Sequence, residues 1–155
     1  MKRLGFENRP IDATDAKILQ ILSKDARIST AELARLVGLS APSVAERMKR
    51  LEEAGIIEGY GARINCAALG LHLTAWLRVR PVPGELARVA DILRSLPEIV
   101  ECDRVTGEDC FVARAQLRSV AELERLIDRI IPFAMTNTAI VQSSPVERRL
   151  PAIFS

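Results

Sequence analysis

The chain has 155 residues, 48% hydrophobic and 27% charged, with a formal net charge of only +2. That length and apolar content support one domain or two small ones, and two are expected here. The near-neutral balance excludes a polybasic protein that coats nucleic acid indiscriminately, so any DNA contact must come from a local patch.

Residues 1–10 are polar and end in Pro10, reading as a loose arm. Asp12 or Thr14 can cap a first helix running to about residue 24, with Ile18, Leu19, Ile21 and Leu22 as its buried stripe. Residues 29–51 then spell a helix-turn-helix. Ser29 with Glu32 three residues on forms a capping box, and Leu33, Leu36 and Val37 fall on one face. Gly38 supplies a turn of positive φ, and Ala34 is small enough for two helices to cross closely. Ser40 caps the next helix, Pro42 sits in its first turn, and Val44, Met48 and Leu51 face inward. The opposite face carries Ser43, Glu46, Arg47 and Arg50. A face of that kind, with Ser40 at the helix start and Lys49 beside it, is what the major groove of double-stranded DNA admits.

Past Gly55, the stretch Ile56 to Ile64 with Tyr60 and two glycines suits short strands about a tight turn, a wing. Residues 1–60 are therefore expected to form a DNA-binding domain, 61–70 a linker and 71–155 a second domain. From Leu71 the pattern changes to strict alternation. Leu71, Leu73, Ala75, Leu77 and Val79 take one side, and His72, Thr74, Trp76, Arg78 and Arg80 the other. Leu86, Val89, Ala90, Leu93 and Leu96 mark a helix closed by Pro97. Strands follow over 99–106 and 110–117 with a turn at Gly107. Ser119 and Glu122 open a second helix that Pro132 stops, and residues 136–143 make a last strand. The order strand, helix, strand, strand, helix, strand is that of a ferredoxin-like βαββαβ unit, and the whole chain is α+β. Both helices of such a unit cover one face of its sheet. Trp76 points to the other, so two sheets are expected face to face in a homodimer.

No apolar run approaches the roughly twenty residues that would span a bilayer, and the N-terminus lacks a signal-peptide core, so a soluble cytoplasmic protein with no membrane association is expected. Cys66, Cys102 and Cys110 are odd in number and lack metal-type spacing, which argues for reduced packing thiols and no metal site. His72 is the sole histidine, with no visible companion for acid-base or nucleophilic chemistry, so neither a catalytic residue nor a cofactor is assigned.

The pairing of a winged helix-turn-helix with a ferredoxin-like domain resembles the Lrp/AsnC, or feast/famine, transcription regulators, over nearly the whole chain. Residues 11–19 (Ile-Asp-Ala-Thr-Asp-Ala-Lys-Ile-Leu), Asp-Ala-Arg at 25–27, Glu-Leu-Ala at 32–34 and Gly-Leu-Ser at 38–40 carry the resemblance. So do Arg47, Arg-Leu-Glu at 50–52, Gly-Ile-Ile-Glu-Gly-Tyr at 55–60, Val-Thr-Gly-Glu-Asp-Cys-Phe at 105–111 and Thr-Asn-Thr-Ala-Ile-Val at 136–141. It implies a second domain of the RAM type, a homodimer that assembles to tetramers or octamers, and an amino acid or related metabolite bound between second domains. The loop from Gly107 resembles the family's effector loop. Gly107, Glu108, Asp109 and Cys110, with Thr136 and Thr138 on the last strand, are the expected effector residues. The chain departs from the family at Cys110, where an aspartate suited to an ammonium group is usual. A thiol is mostly neutral at cellular pH, so a weak or altered response is expected.

Two rival functions accompany this reading. Sirohaem decarboxylases resemble the same two-domain arrangement, but would need histidines beyond His72 near a tetrapyrrole. An architectural DNA-compacting protein would bind without an effector and without a sequence-specific site.

Overall fold

The structure, a computed structural model, describes residues 11–153; the arm expected over residues 1–10 lies outside them. The chain divides into two compact units, one reaching to Arg63 and taking in the segment from Val146 onward, the other spanning Ile64–Pro145. The sequence division at 71–155 therefore shifts at its end, because the last residues return to the first unit. Ile153 packs against that unit's core.

Among the described residues the first unit holds three helices, α1 (Ala13–Leu22), α2 (Thr30–Val37) and α3 (Ala41–Glu53). Each start is set by a local cap. The Asp12 carboxylate accepts from the Asp15 amide at 2.8 Å while Asp15 accepts from the Asp12 amide at 3.3 Å, a reciprocal box that fixes the first turn of α1. Ser29 caps α2 through the Glu32 amide at 3.1 Å, but the return half of the expected box is absent, because the Glu32 carboxylate pairs with Arg35 instead. Gly38 ends α2 at φ +72, the left-handed conformation in which a Cβ is costly, and its amide closes on Ala34. Ile18, Leu33, Val44 and Leu51 are fully or almost fully buried where the three helices meet, while Leu36 remains 39% exposed and lies off the core face expected for it.

The wing strands expected over 56–64 are not formed. The amides of Ile56 and Ile57 are spent on the Leu51 carbonyl at the end of α3, at 2.9 and 3.1 Å. Gly59 and Gly61 then leave the middle of the stretch without side chains to pack, and no strand among the described residues lies alongside to take its backbone groups.

The second unit runs β1 (Leu73–Pro81), α4 (Leu86–Ser95), β2 (Ile99–Arg104), β3 (Phe111–Leu117), α5 (Val120–Ile130) and β4 (Ala134–Ile140), the expected βαββαβ order. A short 3-10 turn, Ala67–Leu69, precedes it. The antiparallel sheet has strand order β2-β3-β1-β4, so β2 and β4 are its edges. Ala75, Leu77 and Val79 of β1, with Phe111, Ala113, Ala115 and Leu117 of β3, form a buried floor under Val89, Leu93, Leu123, Leu126 and Ile130 of the two helices. Alternation along β1 and β3 thus buries one face and leaves the other open. Strand ends fall within three residues of the sequence expectation, and β2 carries a register irregularity between Ile99 and Glu101.

Candidate nucleic-acid interface

Three residues of α3 are held by its inner stripe, Val44 and Leu51 buried and Met48 half-buried. On the far side lie Ser43, Glu46 and Lys49, with Arg50 on the flank toward α1, all exposed. Ser40, at the N-cap, accepts from the Ser43 amide at 3.4 Å and lies 2.8 Å from the Ser43 hydroxyl. The first turn of α3 therefore presents two serine hydroxyls together with amides left free by the helix geometry. Lys49 reaches Glu53 only at 3.8 Å, a solvated pair worth little.

Arg47 and Arg50 are not the free cations that the sequence pattern suggests. Arg47 Nη1 donates to Asp12 Oδ2 at 2.6 Å and to Asp15 Oδ1 at 2.8 Å. Arg50 Nη2 donates to both oxygens of Asp15, at 2.9 and 2.8 Å. Both arginines thus tie α3 to the start of α1. The cause is present in the sequence: Asp15 lies three residues before Ile18, on the same apolar stripe as Leu19 and Leu22. A carboxylate carried inward on such a stripe requires cationic partners. The Arg47 guanidinium, and then the Asp15 amide, hold the Asp12 carboxyl below its usual range, and the two carboxylates push the Arg47 pKa upward.

Tyr60 donates its hydroxyl to Glu52 at 2.6 Å, fastening the chain after α3 to that helix. Burial, and then the Glu52 carboxylate, raise its pKa to about 12.

In the second unit the expected effector residues are divided between faces. Gly107 takes φ +105 in the turn between β2 and β3. Glu108 pairs with Arg80 at 2.5 Å, and Asp109 lies 3.6 Å from Arg80 and 4.0 Å from Arg78, so both carboxylates turn toward the open side of β1. Cys110 packs against the core beneath the helices. Thr136 stands opposite Val79 and Thr138 opposite Leu77, on the core side of β4, with β1 between them and the Gly107 turn. Two clefts, of 540 Å³ between α4 and β2 and 500 Å³ beside α5, contain none of these residues. Arg78 and Arg80, which the alternation marks only as outward strand residues, are the groups that hold the loop.

Trp76 is 40% exposed on the open face, with Met135 of β4 67% exposed and the Arg114 guanidinium 5.9 Å from the Trp76 ring. His72 is exposed just before β1, and all three cysteines stand as free thiols. No helix among the described residues is long and apolar enough to cross a membrane.

Two family models match the chain: one for winged helix-turn-helix DNA-binding over residues 11–58, and one for the Lrp/AsnC ligand binding domain over residues 74–151. Over 134 residues the chain is 37% identical to the HTH-type transcriptional regulator YezC of Bacillus subtilis, covering 86% of this chain and 95% of that protein. The solved structure of B. subtilis LrpC superposes with a TM-score of 0.84 at 31% identity, covering 90% of this chain and 99% of that one. The transcriptional regulator NMB0573 of Neisseria meningitidis, crystallised as an L-Met complex, superposes with a TM-score of 0.85 at 28% identity, covering 93% and 98%.

Proposed function

The chain belongs to the Lrp/AsnC family of transcriptional regulators, and on that premise we propose that α3 enters the major groove of double-stranded DNA, with Ser40, Ser43, Glu46, Lys49 and Arg50 facing it. The observation that carries this reading is the outer face of α3, whose exposed polar groups lie opposite Val44 and Leu51 and next to a serine-capped N-terminus. Arg47 is a strut rather than a reader. Replacing Arg50 with alanine is expected to weaken binding to a preferred duplex by about 1–3 kcal/mol, the range for a base-reading side chain. A titration in which Arg50→Ala binds as tightly as wild type would reject the assignment.

The second unit is the effector and assembly domain in this reading. Two copies associate through the open sheet face around Trp76, and dimers assemble further to tetramers or octamers. An amino acid or related metabolite lodges between second domains near Gly107, where the turn amides can receive a carboxylate. The L-Met complex of the Neisseria relative supports this ligand class. Because Cys110 faces the core and Asp109 is engaged by arginines, no unpaired carboxylate of the loop waits for an ammonium group. The response is therefore weak or altered. Calorimetry against the twenty amino acids tests this, and a tight response surviving Gly107→Val would move the pocket elsewhere. The protein works in the cytoplasm as a regulator and not as an enzyme, in keeping with the transcriptional regulators it resembles.

A further inference from the structure

We propose that Asp15 is a positioning residue for DNA recognition: from inside the helical core it fixes the guanidinium of Arg50 in one orientation, so that this arginine reads a base instead of settling on the nearest phosphate. The proposal rests on the reading of α3 as the groove-facing helix.

Asp15 is 2% exposed, the only polar or charged residue buried to that degree among the described residues. Its carboxylate receives the Asp12 amide, Arg47 Nη1 and Arg50 Nη2, so its acceptor capacity is filled by groups from two helices. The two arginines are used differently. Arg47 bridges Asp15 and Asp12, and its side chain is only 26% exposed. Arg50 has Asp15 as its sole carboxylate partner among the described residues, and its side chain is 46% exposed. Only its Nη2 is engaged, shared between both oxygens, which leaves Nη1 and Nε without a protein acceptor among those residues.

An untethered arginine on a helix surface samples many rotamers and finds phosphate, which is abundant and blind to sequence. Tied at one nitrogen to an immobile carboxylate, the guanidinium plane is set before DNA arrives, and its free edge can meet only the base presented at that register. The buried negative charge also opposes a general attraction to the DNA backbone. Arg50 is suited to this double attachment because a planar fork has nitrogens left over after one is tied, whereas a lysine ammonium is a single point charge.

The test uses the full chain, a duplex that the wild-type protein selects from a random pool, and a scrambled duplex of the same composition. For Asp15→Asn, the ratio of the two affinities is expected to fall at least tenfold. Affinity for the scrambled duplex should hold or rise, and the dependence of log affinity on log salt should steepen by about one phosphate contact. An unchanged ratio, or both duplexes weakened by the same factor, would overturn the proposal, since a merely structural role lowers both together. Should circular dichroism show Asp15→Asn unfolded, Arg50→Lys carries the test. It should keep the fold and the scrambled-duplex affinity while losing discrimination, and full retention of discrimination would overturn the proposal. Arg50→Ala separates the two readings. If it too keeps discrimination, the assignment of α3 fails; if it loses discrimination while Asp15→Asn keeps it, only the role of Asp15 fails.

Discussion

Arg47 and Arg50 are alike in a sequence and unlike in the folded chain, because a buried carboxylate from another helix decides what each can do. Removing Arg47 leaves Asp15 with one guanidinium instead of two, and frees Asp12. Since Arg47 is itself partly solvated, Arg47→Ala is expected to destabilise the first unit by about 1–3 kcal/mol, below the cost of breaking a fully buried pair. Urea unfolding followed by helical circular dichroism measures this, and an unchanged midpoint would show the network to be idle. The pH dependence has a definite sign. Asp12 titrates below its ordinary value in the folded chain, so its contribution is present above the unfolded pKa of about 3.9 and is lost as pH falls through the lower folded value. Asp12→Asn should therefore flatten acid unfolding of the helical unit below pH of about 4. Tyr60 gives a second check, being the chain's only tyrosine. Its folded pKa is raised, so the Tyr60–Glu52 bond stabilises below the unfolded value near 10 and is lost as pH passes about 12. An ultraviolet titration should show a midpoint near 12 that falls in Glu52→Gln, and a wild-type midpoint near 10 would contradict the bond.

Elements governed by local chemistry are legible in the sequence. Ser29, Gly38, Ser40 and Ser119 each mark a helix boundary through a bond to a residue within four positions, and the alternation from Leu73 to Val79 declares a strand with two faces. Where the partner is distant in the chain, or where two partners compete, local pattern misleads. The stretch 56–64 has strand-forming residues but, among the described residues, no strand to pair with, and Glu32 has two nearby partners and takes Arg35. Asp15 is hard to single out because a helix that begins with Asp12 already has its cap, although its place on the Ile18 stripe marks it as a buried charge. Thr136 and Thr138 suit the Gly107 turn by residue type, but the strand order puts β1 between them. Gly38 offers a clean measurement at this scale. Nothing lies within 4 Å of where its Cβ would be, so Gly38→Ala is penalised by the backbone alone. A loss of about 1–2 kcal/mol in the urea stability of the helical unit is expected, and no loss would mean the turn does not need positive φ.

On the scale of the whole molecule, two separate cores are joined in one chain: three helices that include α3, and a sheet whose helices cover only one side. Trp76 tests the proposed assembly through the open face. It is 40% exposed on the chain itself, so Trp76→Lys should leave the sheet folded. Within a face-to-face dimer the same lysine would be buried unpaired, and light scattering should show the mass of the full chain fall at unchanged circular dichroism. An unchanged mass would place the interface on another surface. The central claim remains that this chain recognises DNA by sequence through α3. The most direct measurement is the affinity of the full chain for a duplex selected from a random pool against its scrambled counterpart, at one physiological salt concentration. A ratio of about 10³ or more is predicted, falling sharply in Arg50→Ala. Equal affinities for the two duplexes would contradict it and leave a protein that binds DNA only by charge.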